Sequence, residues 1–227
     1  MLLIAAVLLP ACGDDGGKTA DAAIDAAAPV AFTGEMIDWD SDHGAAFCGV
    51  YSAKLTLHGD TTNTDTTAPN GRIMMMVPDA TTVRVDVMPP TGASQCSTGG
   101  LYQMPGIIIT GKTVLDSGKQ ASYRMIGMTR LPAWFTQFGL TYDSSKAIVF
   151  VHVEGTPAAV KSSAAHDSPV AANEAVWEAN NVGQNVVFPN SAVGTSDVSL
   201  HLSNGIGAQT VPTVAGTITY ITLVDPS

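Results

Sequence analysis

The chain reads as an all-β protein: two sandwich units joined by a short helical connector. Three observations predict this. Gly 22 and Pro 13, with many Thr, Val and Ser residues, set short strands between frequent turns. Residues 81–87, TTVRVDV, place Val83, Val85 and Val87 on one face and Arg84 and Asp86 on the other, the pattern of a half-buried strand. Residues 146–154, KAIVFVHVE, carry the strongest strand signal in the chain.

Taken in order, the chain opens on a short apolar run. Residues 2–11, LLIAAVLLPA, are too few to cross a bilayer, which takes about 20 apolar residues. They suit the apolar part of an export signal, with small residues ahead of a cleavage point. Leu9-Pro10-Ala11-Cys12 resembles the lipobox of bacterial lipoproteins, with a leucine three before the cysteine and a small residue directly before it. The resemblance implies that residues 1–12 are a signal peptide ending at Cys12. It implies that Cys12 carries lipid, palmitate included, and anchors the chain to the membrane of a bacterial cell envelope. Gly13 at the next position, where enteric lipoproteins retained in the inner membrane have Asp, implies the outer membrane.

Residues 13–31, GDDGGKTADAAIDAAAPVA, bury too little apolar surface to offset chain entropy and read as a flexible acidic tether. Charge narrows the partners. The net charge is −10 and only 13% of residues are charged, which argues against nucleic acid and against adhesion to anionic headgroups. The remaining cysteines, Cys48 and Cys96, read as one disulfide in an exported chain. It closes a loop worth on the order of 4 kcal/mol if unstrained. The alternative, a reactive thiol, needs a basic neighbour, and only His43 is near in sequence.

From Phe32 the texture turns to strands. Gly34-Glu35-Met36-Ile37-Asp38 is followed by Ala53-Lys54-Leu55-Thr56-Leu57, a Thr-rich loop, and Asn70-Gly71 before Arg72-Ile73-Met74-Met75-Met76-Val77-Pro78. Asn70-Gly71 is a turn signal because both residues tolerate positive φ. This order resembles the carboxypeptidase regulatory-like domain, a prealbumin-like (transthyretin-like) β-sandwich. The resemblance implies an accessory or binding module over residues 32–112, and no chemistry of its own. Residues 113–145 form a partly helical connector. Within it Leu131, Trp134, Phe135 and Phe138 share one helix face, Pro132 suits the first turn and Gly139 the end. Residues 146–227 form the second unit. Its strand candidates lie at 146–154, 175–178, 185–188, 198–202 and 216–223, and its turns contain Gly183, Gly194 and Gly205.

Candidate site residues are few. Asp38, Asp40 and Asp42 alternate as in a calcium loop, but the sixth and twelfth positions are His43 and Gly49, where an EF-hand needs Gly and Glu. Trp39 and Trp177 are candidates for stacking on a sugar ring, with His43 beside the first; covering an end of the sandwich is the other reading. Met74 and Met76 share a strand face, read as core filling rather than a copper site. His152 and His201 point opposite in phase to their apolar neighbours, as surface histidines do. There is no G-x-S-x-G elbow, H-E-x-x-H or phosphate-binding glycine loop, and the pair Glu174 and Glu178 sits in strand-like sequence. The expectation is a non-catalytic envelope lipoprotein without a cofactor, contacting an envelope protein or a polysaccharide. The alternative is a carbohydrate-binding or hydrolytic accessory protein with a loop site near Trp39 and His43.

Overall fold

The computed structural model describes residues 28–41, 47–92, 96, 101–118, 121–173, 176–200 and 208–224. The signal with Cys12, nearly all of the tether, Asp42, His43, Glu174, His201 and Gly205 lie outside the described residues. The first half holds β1 (Val30–Asp38), β2 (Lys54–Leu57), β3 (Thr64–Thr66), β4 (Arg72–Val77), β5 (Thr82–Met88) and β6 (Gly106–Gly111). Then come α1 (Lys112–Ser117), β7 (Ala121–Met125) and α2 (Arg130–Gln137). The second half holds β8 (Ala147–Glu154), β9 (Ala158–Ser162), β10 (Val170–Asn173), β11 (Val176–Glu178) and β12 (Val182–Gly183). It ends with β13 (Asn185–Ser191), β14 (Gly194–Leu200), β15 (Gln209–Thr213) and β16 (Ile218–Val224).

These strands make three layers. Nine of them form a central sheet in the order β11-β10-β13-β8-β16-β6-β5-β2-β3. Within it β16 runs parallel to both β6 and β8. The small sheet β4-β1-β7 covers one face, and β12-β9-β14-β15 covers the other. Side-chain alternation builds the two cores. On β8, Ile148 and Phe150 enter the first core, while Val149, Val151 and Val153 enter the second. On β16, Ile218 and Tyr220 face one way, Ile221 and Leu223 the other. That is why KAIVFVHVE reads as an almost unbroken apolar run: a strand covered on both faces needs one. By contrast β5 is covered on one face only, and Val83, Val85 and Val87 are buried as its alternation requires.

The protein is an all-β sandwich, and its two sandwiches share their middle layer. The division expected at 112/113 and 145/146 does not separate two sheets. β16 sits between β6 and β8, and the expected connector supplies β7, which pairs in parallel with β1 from Gly34↔Ala121 to Asp38↔Met125. Parallel neighbours need a long crossover, so strands adjacent in space lie far apart in sequence. The helix is as expected: α2 buries Leu131, Trp134 and Phe135, and Phe138 packs on the first core just beyond it. The methionines are not. β4 turns Ile73, Met75 and Val77 inward and leaves Met74 61% and Met76 51% exposed. Arg72, two residues before Met74, marks that face as the wet one.

Two devices close the first sandwich. Asp65 on β3 accepts the Met74 N–H at 2.9 Å, and Asn63 Nδ2 donates to the Met76 carbonyl at 2.8 Å. These bonds seam the edge of the central sheet to the edge of the small one. At the other end, Cys48 and Cys96 are joined as a disulfide with Cα atoms 5.9 Å apart.

The Asn70-Gly71 turn makes a close approach. Gly71 has φ +77°, and a Cβ there would lie 2.0 Å from the Met36 carbonyl oxygen. Gly59 has φ +87° and open space around it. Gly59→Ala is therefore expected to cost about 1 kcal/mol from backbone strain alone. Gly71→Ala, with strain and clash together, is expected to cost about 3 kcal/mol or more. Urea unfolding of the two variants checks the order; equal losses would contradict the close approach.

Candidate functional site

Of the predicted aspartates, Asp38 and Asp40 sit with Trp39 in the turn where β1 ends, and each of these three side chains is committed within the fold; Asp42 lies outside the described residues. Asp38 is buried. Its Oδ2 accepts the Tyr102 hydroxyl at 2.5 Å and its Oδ1 accepts the Asp40 N–H at 3.2 Å. Burial pushes the Asp38 carboxyl above the usual carboxylate range, and the hydrogen bond from Tyr102 offsets part of that. Asp40 makes a two-toothed pair with Arg130, at 2.6 Å to Nε and 3.3 Å to one terminal nitrogen. Arg124, buried on β7, donates to the carbonyls of Trp39 and Ser41. Ser41 in turn accepts the Cys48 N–H through its Oγ at 2.7 Å. Asp38 and Asp40 therefore spend their oxygens on a phenol, a backbone amide and a guanidinium, and do not converge as ligands for calcium. Among the described residues no group of three or more His, Cys, Asp or Glu side chains could hold a metal ion.

The structure brings Trp39 and Trp177 together, though inside the core. Their rings stack 5.0 Å apart at 11°, Trp134 of α2 stands edge-on to both, and Phe150 of β8 closes against Trp39 at 5.5 Å. Trp39 is 1% exposed and Trp177 7%, so neither offers a ring face to a sugar. This corrects their reading as ligand platforms; a large apolar ring beside a polar turn covers the open end of the sandwich. All three indole N–H groups are buried without a hydrogen-bond acceptor, and the Trp134 ring plane stands nearly perpendicular to the other two.

A second polar group went unread in the sequence. At the carboxyl ends of the parallel strands, Asn185, His152, Thr222 and Thr110 stand side by side across β13, β8, β16 and β6. The register pairs Asn185 with His152 and His152 with Thr222, and Ile221↔Ile109 places Thr222 alongside Thr110. His152 is held at 3.0 Å from Nδ1 to Asn185 Oδ1 and at 3.6 Å from Nε2 to Glu154. It faces away from Val151 and Val153, as its phase requires, but its side chain is only 14% exposed because that face is covered too. Tyr123 hangs over the row from β7. Burial pushes its hydroxyl up to about 12, against the smaller effect of the Thr110 and Thr222 hydroxyls nearby. None of these three hydroxyls makes a hydrogen bond of good geometry, and none is joined to His152. The row is a polar layer, and it lacks the base-to-hydroxyl contact that nucleophilic catalysis uses. Arg124 and Arg130 had one legible signal: the chain has only ten Lys and Arg residues, and these two lie in otherwise apolar stretches.

No protein-family model matches the chain, and no curated protein matches it. Among solved structures it is similar to the Bacillus anthracis TIE protein, at 9% identity and a TM-score of 0.26, over 86% of this chain and 34% of that one. The chain thus spans about a third of that structure's length, and a likeness at this level carries no argument.

Two outcomes test the geometry. Trp39→Ala is expected to cost about 3–5 kcal/mol in urea unfolding, the loss of a core aromatic, and a folded variant of unchanged stability would contradict its burial. Asp38 should leave a pH signature. Its raised folded-state pKa means that its contribution to stability is fully present below pH 3.8 and is lost as pH rises through the folded value. Asp38→Asn removes that loss, so the stability of the variant relative to the parent should increase from pH 3 to pH 7. A difference that shrinks over that range would refute burial as the dominant cause.

Proposed function

We propose that the chain is a non-catalytic lipoprotein of the bacterial cell envelope, anchored through lipid on Cys12, which holds a rigid β-sandwich off the membrane for contact with an envelope protein or polysaccharide. The observation that carries the reading is the order of its parts: an apolar run ending in Leu9-Pro10-Ala11-Cys12, an acidic low-complexity stretch, then a disulfide-linked β fold. The export route and the Cys48–Cys96 bridge support each other, since such bonds persist in oxidising compartments. The turn at the end of β1 adds support for a non-catalytic role, because Asp38, Asp40 and Trp39 are bound into the fold.

What the fold offers a partner is outward sheet surface. One face carries Met74 and Met76. The uncovered half of the central sheet carries a small ion network, with His58 and Arg84 each 2.8 Å from Asp86. Such pairs are worth little to stability, so they are free to serve recognition.

The anchor is testable in cells grown with a clickable palmitate analogue. The parent chain is expected to take up label and partition into detergent, and Cys12→Ser to lose both. A Cys12→Ser chain that still partitions with membranes would sink the lipoprotein reading.

A further inference from the structure

Residues 74–76 are three methionines in a row, and the strand sorts them by face. Met75 is 5% exposed and packs in the first core, while Met74 and Met76 stand in solvent on the outer face of β4. Met36 on β1 and Met125 on β7, the other two strands of that sheet, are buried as well. A thioether is a soft nucleophile that two-electron oxidants convert to a sulfoxide, and exposure decides which thioethers they reach. Met74 has a second feature. One terminal nitrogen of the Arg72 guanidinium lies 3.9 Å from its Sδ. A thioether is a weak acceptor, so this contact holds little in the reduced chain. An oxygen bonded to the sulfur would be a far better partner for a charged donor. The ladder partner of Met76 is Ala31, whose side chain offers no donor.

We propose that Met74 and Met76 are a reversible oxidation site for peroxides, with Arg72 selecting one of the two epimers of the Met74 sulfoxide. The sulfur lone pair attacks a peroxide oxygen, an S–O bond forms and the O–O bond breaks. The sulfur is oxidised by two electrons, and with hydrogen peroxide the second oxygen leaves as water. A sulfoxide sulfur is chiral. A donor fixed on one side of it orients the incoming peroxide and favours the epimer whose oxygen it reaches. The change stays on the surface. Met75 keeps its place in the core, and the Met74 N–H stays bonded to Asp65. An apolar strip on the sheet thereby gains hydrogen-bond acceptors while the fold persists.

The test treats the full folded chain with hydrogen peroxide, quenches at intervals and locates each sulfoxide by tandem mass spectrometry. Met74 and Met76 are expected to oxidise at least about tenfold faster than Met75, Met36 and Met125, a difference that urea unfolding should abolish. The chain carrying both sulfoxides should melt within about 2 °C of the parent. The two epimer-specific methionine sulfoxide reductases then count the epimers. Met74 should show roughly a threefold excess of one epimer, and Met76 and the exposed Met88 near-equal amounts. Arg72→Ala, a change at an exposed residue, should bring Met74 to near equality. Oxidation of Met75 in the folded chain as fast as that of its neighbours would overturn the proposal. So would a marked loss of melting temperature with the two sulfoxides, equal epimers at Met74 in the parent, or an excess that persists in Arg72→Ala.

Discussion

A sheet covered on both faces has no wet side, and this constraint governs the rest of the molecule. β8 and β16 must be apolar on both sets of alternating positions, which their sequences are. Their backbone groups are satisfied only sideways, by neighbours in the sheet. Because β16 lies parallel to β6 and β8, the chain must cross over between them, and the crossovers are themselves the covering layers. The segment between β6 and β8 lays β7 and α2 over one face. The segment between β8 and β16 lays β9, β14 and β15 over the other. Topology and burial are one problem solved once.

Where a covered sheet ends, its last polar residues need partners inside the protein. The two polar clusters stand at such ends. At the close of β1, Asp38, Tyr102, Arg124, Asp40 and Arg130 satisfy one another and the backbone of the turn. At the close of β8, β16 and β6 the accounts are less complete: His152 is held by Asn185, but Thr110, Thr222 and Tyr123 keep unpaired hydroxyls.

Local patterns in the sequence carried the elements with local causes. The alternation of Val83, Val85 and Val87, the aromatic face of α2, the Asn70-Gly71 turn and the Cys48–Cys96 pair are each written within a few residues or by elimination. Features that depend on pairing at a distance were not legible. β7 reads as ASYRM, without alternation, because it is buried along its whole length between β1 and the central sheet. Met74 and Met76 look like core residues until the strand's phase is set, and Arg72 sets it. Trp39 sits among aspartates and reads as a surface residue; only the arrival of Trp134 and Trp177 from distant segments makes it core. The row of Asn185, His152, Thr222 and Thr110 draws one residue from each of four strands, so no stretch of sequence contains it.

The seam between β3 and β4 bears on how this protein behaves in company. A long sheet invites other chains to add strands at its borders. Here β3, one border of the central sheet, lies against β4 of the small sheet, and the side chains of Asp65 and Asn63 occupy backbone groups of β4 that a foreign strand would use. The opposite border, β11, is three residues long and finishes at Glu178, too short and too charged to template a growing ladder. A sheet of nine paired strands is thereby kept from becoming the seed of a tenth, which matters most where copies are held close together at high local density.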